Sequence, residues 1–210
     1  MGMADNSIIK IALTGKMRSG KSTVAEILWL NYDLTRRSFG GALKYYADKM
    51  FEGSSAYPIE VEEYGEPCPF DGKRDTRIKK PRKLYQDFGQ AMRQLDEDIW
   101  IRHVEQAIEI DKLFPDYKGV VIDDLRQPNE YEWAKANGFT IIRVNADESD
   151  RLDRAAKLGD KFSAEDLRHE TERHVDDFEA DYVIWNGSGV SLHELRRKVG
   201  EIMGDINPTP

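Results

Sequence analysis

Gly15-Lys16-Met17-Arg18-Ser19-Gly20-Lys21-Ser22 constrains this chain more than any other stretch. The run fits G-x-x-x-x-G-K-[ST] and is followed by Thr23. Glycines at both ends let the backbone curl, so that successive N–H groups turn inward onto phosphate oxygens. A helix starting near Lys21 adds the positive end of its dipole. Gly15, Arg18, Ser19, Gly20, Lys21, Ser22 and Thr23 are therefore the expected phosphate-binding residues. Lys21 would reach the terminal phosphates of a nucleotide, and the Ser22 hydroxyl would ligate Mg²⁺. The alternative is an ordinary glycine-rich turn. Context argues against it, because an apolar run, Ser7–Thr14, leads in and a helical pattern, 22–31, leads out.

The rest of the chain continues that rhythm. Strands are expected at Leu34–Phe39, Gly119–Asp123, Phe139–Asn145 and Asp181–Trp185. Helices fit between them, at about 41–51, 81–94, 96–110, 128–137 and 190–202. Pro128 suits a first helical turn and Gly138 a helix end. Strands alternating with helices imply an α/β fold with a parallel sheet covered on both faces. Two stretches break the rhythm: 52–80, rich in Pro, Gly and charge, and 146–175, a polar helical stretch. Both read as insertions at the mouth of one core. With 210 residues, one domain spanning 1–210 is expected.

Composition narrows the function. The formal charge is −8, which argues against a dedicated nucleic-acid module, whose footprint is basic. No run approaches 18 consecutive apolar residues, so no membrane span is expected. Neither a signal peptide nor a myristoylation signal is legible at the N-terminus, where Asn6 stands in place of Ser or Thr. Cys68, the only cysteine, leaves no partner for an internal disulfide, and a cytoplasmic location is the simplest reading. His169 and His174 are five apart, the wrong spacing for two ligands on one helix face.

A second informative stretch is Val120-Val121-Ile122-Asp123-Asp124-Leu125-Arg126-Gln127-Pro128-Asn129-Glu130. An apolar strand here delivers carboxylates to its C-terminal end, the edge where open α/β sheets bind ligands. Asp124 and Arg126 are the candidates, with Arg126 suited to a bidentate phosphate grip and Asp123 the weaker choice. A structural alternative is that an aspartate caps the next turn. Arg151 and Arg154 lie three apart, on one helical face of the 146–175 stretch. Phosphoryl transfer needs positive charge over its transition state, which a lid carrying arginines supplies; a solvated helix with Asp–Arg pairs is the alternative. Arg93 is a candidate acceptor-phosphate ligand, although pattern alone favours an exposed helix arginine, and Phe88 and Trp100 read as core aromatics rather than a base-stacking platform.

Together these residues resemble the deoxynucleoside monophosphate kinases of bacteriophages, within the P-loop nucleotide kinases. The similarity runs through Leu13–Thr23, Phe39-Gly40-Gly41-Ala42-Leu43-Lys44, Tyr85–Gln90 with Arg93 and Trp100, and Asp124–Glu130. It continues in His169-Glu170-Thr171-Glu172 and Ile184-Trp185-Asn186-Gly187. Asp-x-Arg-x-Pro-Asn-Glu is its most specific piece. The resemblance implies a five-stranded parallel core flanked by helices, with 52–80 as acceptor-binding insertion and 146–175 as lid. It implies ATP and Mg²⁺, and phosphoryl transfer to a deoxynucleoside monophosphate. Leu43, Lys44, Arg93, Trp100, Asp124, Arg126 and Glu130 would line the acceptor site. Arg151 and Arg154 would be lid arginines, and Asn186 and Gly187 would lie near the donor's base. Lys21, Arg151, Arg154 and Asp124 are thus the expected catalytic residues. Ser22, Leu125 and Gln127 depart from the family's usual residues, which weakens transfer of the acceptor's identity. The partner expected is a small nucleotide, with no nucleic acid or membrane and a homodimer left open. Two other readings stand beside this one: a kinase of another phosphorylated metabolite such as dephospho-coenzyme A, and a nucleotide-dependent switch or NTPase.

Overall fold

The computed structural model describes residues 8–55, 61–64, 75–78, 81–157 and 174–207. Along the chain run β1 (Ile9–Thr14), α1 (Lys21–Tyr32), β2 (Thr35–Arg37), α2 (Phe39–Phe51), β3 (Val61–Tyr64) and β4 (Asp75–Ile78). There follow α3 (Arg82–Leu95), α4 (Ile99–Asp111), β5 (Gly119–Ile122), α5 (Pro128–Ala136), β6 (Thr140–Asn145), α6 (Glu148–Lys157), β7 (Tyr182–Trp185) and α7, Leu192–Ile206. Five strands form one sheet in the order β2-β5-β1-β6-β7. All its pairings are parallel; Ile11, for instance, sits between Val121 and Thr140.

Burial explains why the strands read as continuous apolar runs. Alternate residues enter opposite layers of core. Ala12, Val120, Ile122 and Ile141 pack with α2, α3, α4 and α5 through Leu43, Phe88, Val104 and Ala134. Ile11, Leu13, Val121, Ile142 and Val144 pack with α1 and α7 through Val24, Leu28, Leu195 and Val199. The chain leaves β1 toward β2 on one side and later places β6 on the other. The turn after β1 therefore opens at the topological switch point, where α/β sheets hold ligands.

Elements match the sequence reading with instructive differences. β2 stops at Arg37, and α2 begins at Phe39 rather than near residue 41. The cause is remote: the Asp124 carboxylate accepts the N–H of Phe39 at 2.9 Å and of Gly40 at 2.8 Å. These donors open the helix, and a carboxylate from 85 positions away satisfies them. Within 52–80 the chain makes an antiparallel pair, β3 with β4, that the sequence reading did not predict. Residues 56–60, 65–74 and 79–80 of that insertion, with Cys68, lie outside the described residues, as do 158–173 of the expected lid, with His169 and Glu170. The described residues of that stretch include α6 and the start of a 3-10 turn, His174–Asp176. Among the described residues no helix is long and apolar enough to cross a membrane.

Candidate active site

The turn Gly15–Gly20 curls between β1 and α1 as its glycines require. Gly15 has φ +135° and Gly20, the N-cap of α1, has φ +107°. Space matters as much as conformation. A Cβ on Gly15 would lie 2.2 Å from the Val144 carbonyl oxygen, and one on Gly20 2.1 Å from Asn186 Nδ2. Lys21 is buried, and its Nζ donates to the carbonyls of Gly15 and, at 2.9 Å, of Lys16. These bonds hold the ammonium over the turn that it must serve.

The outer side of the turn is braced. When N–H groups face inward, the carbonyls of the same peptides face out and need donors. Arg154 on α6 supplies them, to Arg18 O at 3.1 Å and Ser19 O at 3.3 Å, and bonds Asn186 O at 2.6 Å. Arg151 donates to Met17 O at 3.4 Å. Asn186 Nδ2 donates to Ser19 O at 2.8 Å. Asp150 accepts the N–H of Ser188 at 2.6 Å, and Lys16 pairs with Asp176 at 2.6 Å. Arg151, Arg154 and Asn186 thus support the cradle from behind. Asn186 is buried under the turn, with its amide bonded to backbone, rather than laid open beside a base-binding surface. Gly187 is also buried, and a Cβ there would lie 2.7 Å from Trp185 Nε1.

A cleft of about 1090 Å³ opens from this cradle. Arg18, Gly20, Lys21, Ser22, Thr23 and Arg154 line it, and so do Lys44, Asp124 and Arg126. The remaining acceptor candidates are not in its wall. Leu43 and Trp100 belong to the core, Trp100 being 2% exposed with its indole N–H 3.4 Å from Gly89 O. Glu130 is buried behind the wall, where it builds the turn that presents Arg126. One carboxylate oxygen accepts the N–H of Arg126 and of Gln127, each at 3.0 Å. The other lies 3.5 Å from Arg93 Nη2, so Arg93 backs Glu130. With Gln127 these bonds form a capping box on α5, whose first residue is Pro128.

Electrostatics follow from this burial. Burial, then the nearby Asp124 charge, pushes Glu130 from 4.5 up to about 7, against the opposing pull of its two N–H donors and Arg93. Asp124 is also raised, chiefly by burial and next by Asp123, although the N–H groups of Gly40 and Phe39 favour its charge. The Asp124 carboxylate, engaged with two helix donors, positions the start of α2 and also lines the cleft wall.

Sequence reasoning missed part of the wall. Arg36, Arg37 and Ser38 at the end of β2 line the cleft, with Tyr45 and Tyr46 of α2 and His103, Val104 and Ala107 of α4. Arg36 Nε bonds Asp123 Oδ2 at 2.6 Å, and Arg37 Nε bonds Asp111 Oδ2 at 2.8 Å. The end of a strand at the ligand edge was the available signal for these arginines; the α4 residues carried none.

Donors for Mg²⁺ fit the site. Among the described residues no three His, Cys, Asp or Glu side chains cluster to hold a metal. Magnesium needs little from a protein when phosphates and waters supply most of its six oxygens. The exposed Ser22 hydroxyl opens α1 in the same cleft that Asp123 and Asp124 line.

A match to the AAA domain family runs over residues 11–173. The TT1252 protein of Thermus thermophilus has a similar solved structure, with 20% identity, 95% of this chain and 98% of that chain covered, and a TM-score of 0.55. Dephospho-CoA kinase from Campylobacter jejuni is 15% identical over 95% of this chain and 97% of its own, with a TM-score of 0.49. Shikimate kinase from Aquifex aeolicus is 14% identical over 94% and 98%, at 0.46. No curated protein matches the sequence. The fold is an α/β fold, five parallel strands flanked by helices, shared with the TT1252 protein.

Proposed function

The chain belongs to the AAA domain family, and on that premise we propose that it transfers the terminal phosphoryl group of ATP to a deoxynucleoside monophosphate, giving the diphosphate. One observation carries this reading. The cradle lysine Lys21 and a second cationic set, Lys44 and Arg126, line the same cleft. A hydrolase needs only the first. A phosphotransferase must bring two anions together and needs the second to hold the acceptor.

The roles follow from chemistry. N–H groups of the Gly15–Gly20 turn and the start of α1 bind the donor's phosphates. Ser22 would hold Mg²⁺, which neutralises charge on those phosphates when bound. The Lys21 ammonium stabilises the charge developing on the transferred group. Lys44 and Arg126 grip the acceptor's phosphate, while Asp124 holds α2 where Lys44 can reach it. Arg154, in the cleft wall, keeps the cradle shaped. The segment 146–175 serves as lid and 52–80 as acceptor-side insertion, within one domain.

A coupled assay of ADP release over the four deoxynucleoside monophosphates tests the reading. Acceptor-dependent turnover with at least one of them is expected, and it should fall about 100-fold or more in Lys21→Ala. Absence of acceptor-dependent turnover across the panel would overturn it.

A further inference from the structure

Beyond the phosphate-binding parts, the cleft runs between α2 and α4, and its chemistry changes there. Ala42, Val104 and Ala107 give it small apolar surfaces, while Tyr45, Tyr46 and His103 give it rings. The rings form a continuous series from the core outward. Phe88 and Trp100 lie 6.0 Å apart, Trp100 and His103 6.1 Å, His103 and Tyr46 4.8 Å, and Tyr46 and Tyr45 5.3 Å. Phe88 and Trp100 are buried, whereas Tyr46 is 38% exposed and Tyr45 58% exposed. The inner members therefore fix the outer ones. Trp100, its indole N–H pointed at the Gly89 carbonyl, backs His103, and His103 backs Tyr46.

Scattered exposed rings are ordinary, whereas a contiguous apolar patch in a cleft rimmed by charged residues marks a ligand-binding groove. Here they stand in a cleft whose remaining wall carries the cations Arg36, Arg37, Lys44 and Arg126 beside two carboxylates, Asp123, which pairs with Arg36, and Asp124. Cations beside partly exposed aromatic rings suit a molecule that carries both an anion and a planar ring. Stacking is tolerant of which base is present, because every base has a π-face, so this wall accounts for ring recognition rather than for choice among bases.

We propose that Tyr46 and His103 form the stacking wall for the planar base of the acceptor, with Ala42, Val104 and Ala107 as the surface beneath it. This rests on the phosphotransferase reading above and adds the residues that recognise the ring of that acceptor.

Two measurements on the full chain test it separately from that reading. The first is calorimetric titration of thymidine, deoxycytidine, deoxyadenosine and deoxyguanosine monophosphates, and of ring-free deoxyribose 5-phosphate, into wild type, Tyr46→Ala, Tyr46→Phe and His103→Ala. The second is the KM and kcat of any nucleotide that turns over. Wild type should bind at least one nucleotide about 10-fold or more tightly than deoxyribose 5-phosphate. Tyr46→Ala and His103→Ala should each remove most of that margin and raise acceptor KM by a similar factor. Tyr46→Phe should restore it, and ATP KM should stay within twofold throughout. Retention of the full margin in both alanine variants, with their thermal melting unchanged, would overturn the proposal. So would equal wild-type binding of the ring-bearing and ring-free esters. Ring-dependent binding lost in the alanine variants without any phosphoryl transfer would uphold the wall and overturn the transferase reading instead.

Discussion

At the residue scale, two positions test whether the cradle is built as described. Gly20 holds φ +107° with Asn186 Nδ2 where a Cβ would go, at 2.1 Å. Gly20→Ala meets both penalties, backbone strain of about 1–3 kcal/mol and a displaced buried amide that also supports Ser19 O. Its melting temperature should fall by several degrees and its ATP affinity by about 10-fold or more, checked by thermal unfolding and titration. Glu130 gives a pH signature. Its carboxyl is raised from 4.5 to about 7, so between those values the folded chain holds more proton than the unfolded one. Stability from this group is therefore full below pH 4.5 and is lost as pH rises toward about 7. The advantage of wild type over Glu130→Gln should shrink across that window by roughly 3 kcal/mol. Urea unfolding at a series of pH values measures it, and a constant offset would contradict the assignment.

At the scale of elements, α6 is the case where one placement separates two roles. Arg154 sits on the carbonyls of Arg18, Ser19 and Asn186. The charge-assisted bond to the Ser19 carbonyl polarises the peptide that carries the Gly20 N–H at the start of α1. Arg154→Ala should raise ATP KM about 10-fold and leave acceptor KM unchanged. A loss confined to kcat would make Arg154 a transition-state group rather than a brace of the cradle. Elements were legible where local chemistry decides them. β1, β5 and β6 are apolar because both faces are buried, and α5 carries its own proline and capping box. The start of α2 was not legible, because its cap, Asp124, arrives from a distant strand end. For the same reason the Asp124–Glu130 signature looked like one binding motif, while in space it divides. Arg126 faces the cleft, and Glu130 holds the backbone behind it.

Across the whole molecule, sequence order hides what the sheet assembles. The order β2-β5-β1-β6-β7 sets the ends of β2 and β5 beside the cradle, so residues 36–38, 103, 104, 107, 123, 124 and 126 meet residues 17, 18 and 20–23 in one cleft. No local pattern marks His103 or Ala107 for that position; only the packing of α4 against α2 does. The same assembly places Lys21 and Arg126 around one volume, and from that comes the claim of transfer to a second anion rather than to water. Phosphorus NMR of purified protein with ATP, Mg²⁺ and the four deoxynucleoside monophosphates tests it most directly. The account predicts ADP and a deoxynucleoside diphosphate appearing in equal amounts, with little inorganic phosphate. Inorganic phosphate as the main product, with the monophosphates unchanged, would contradict it.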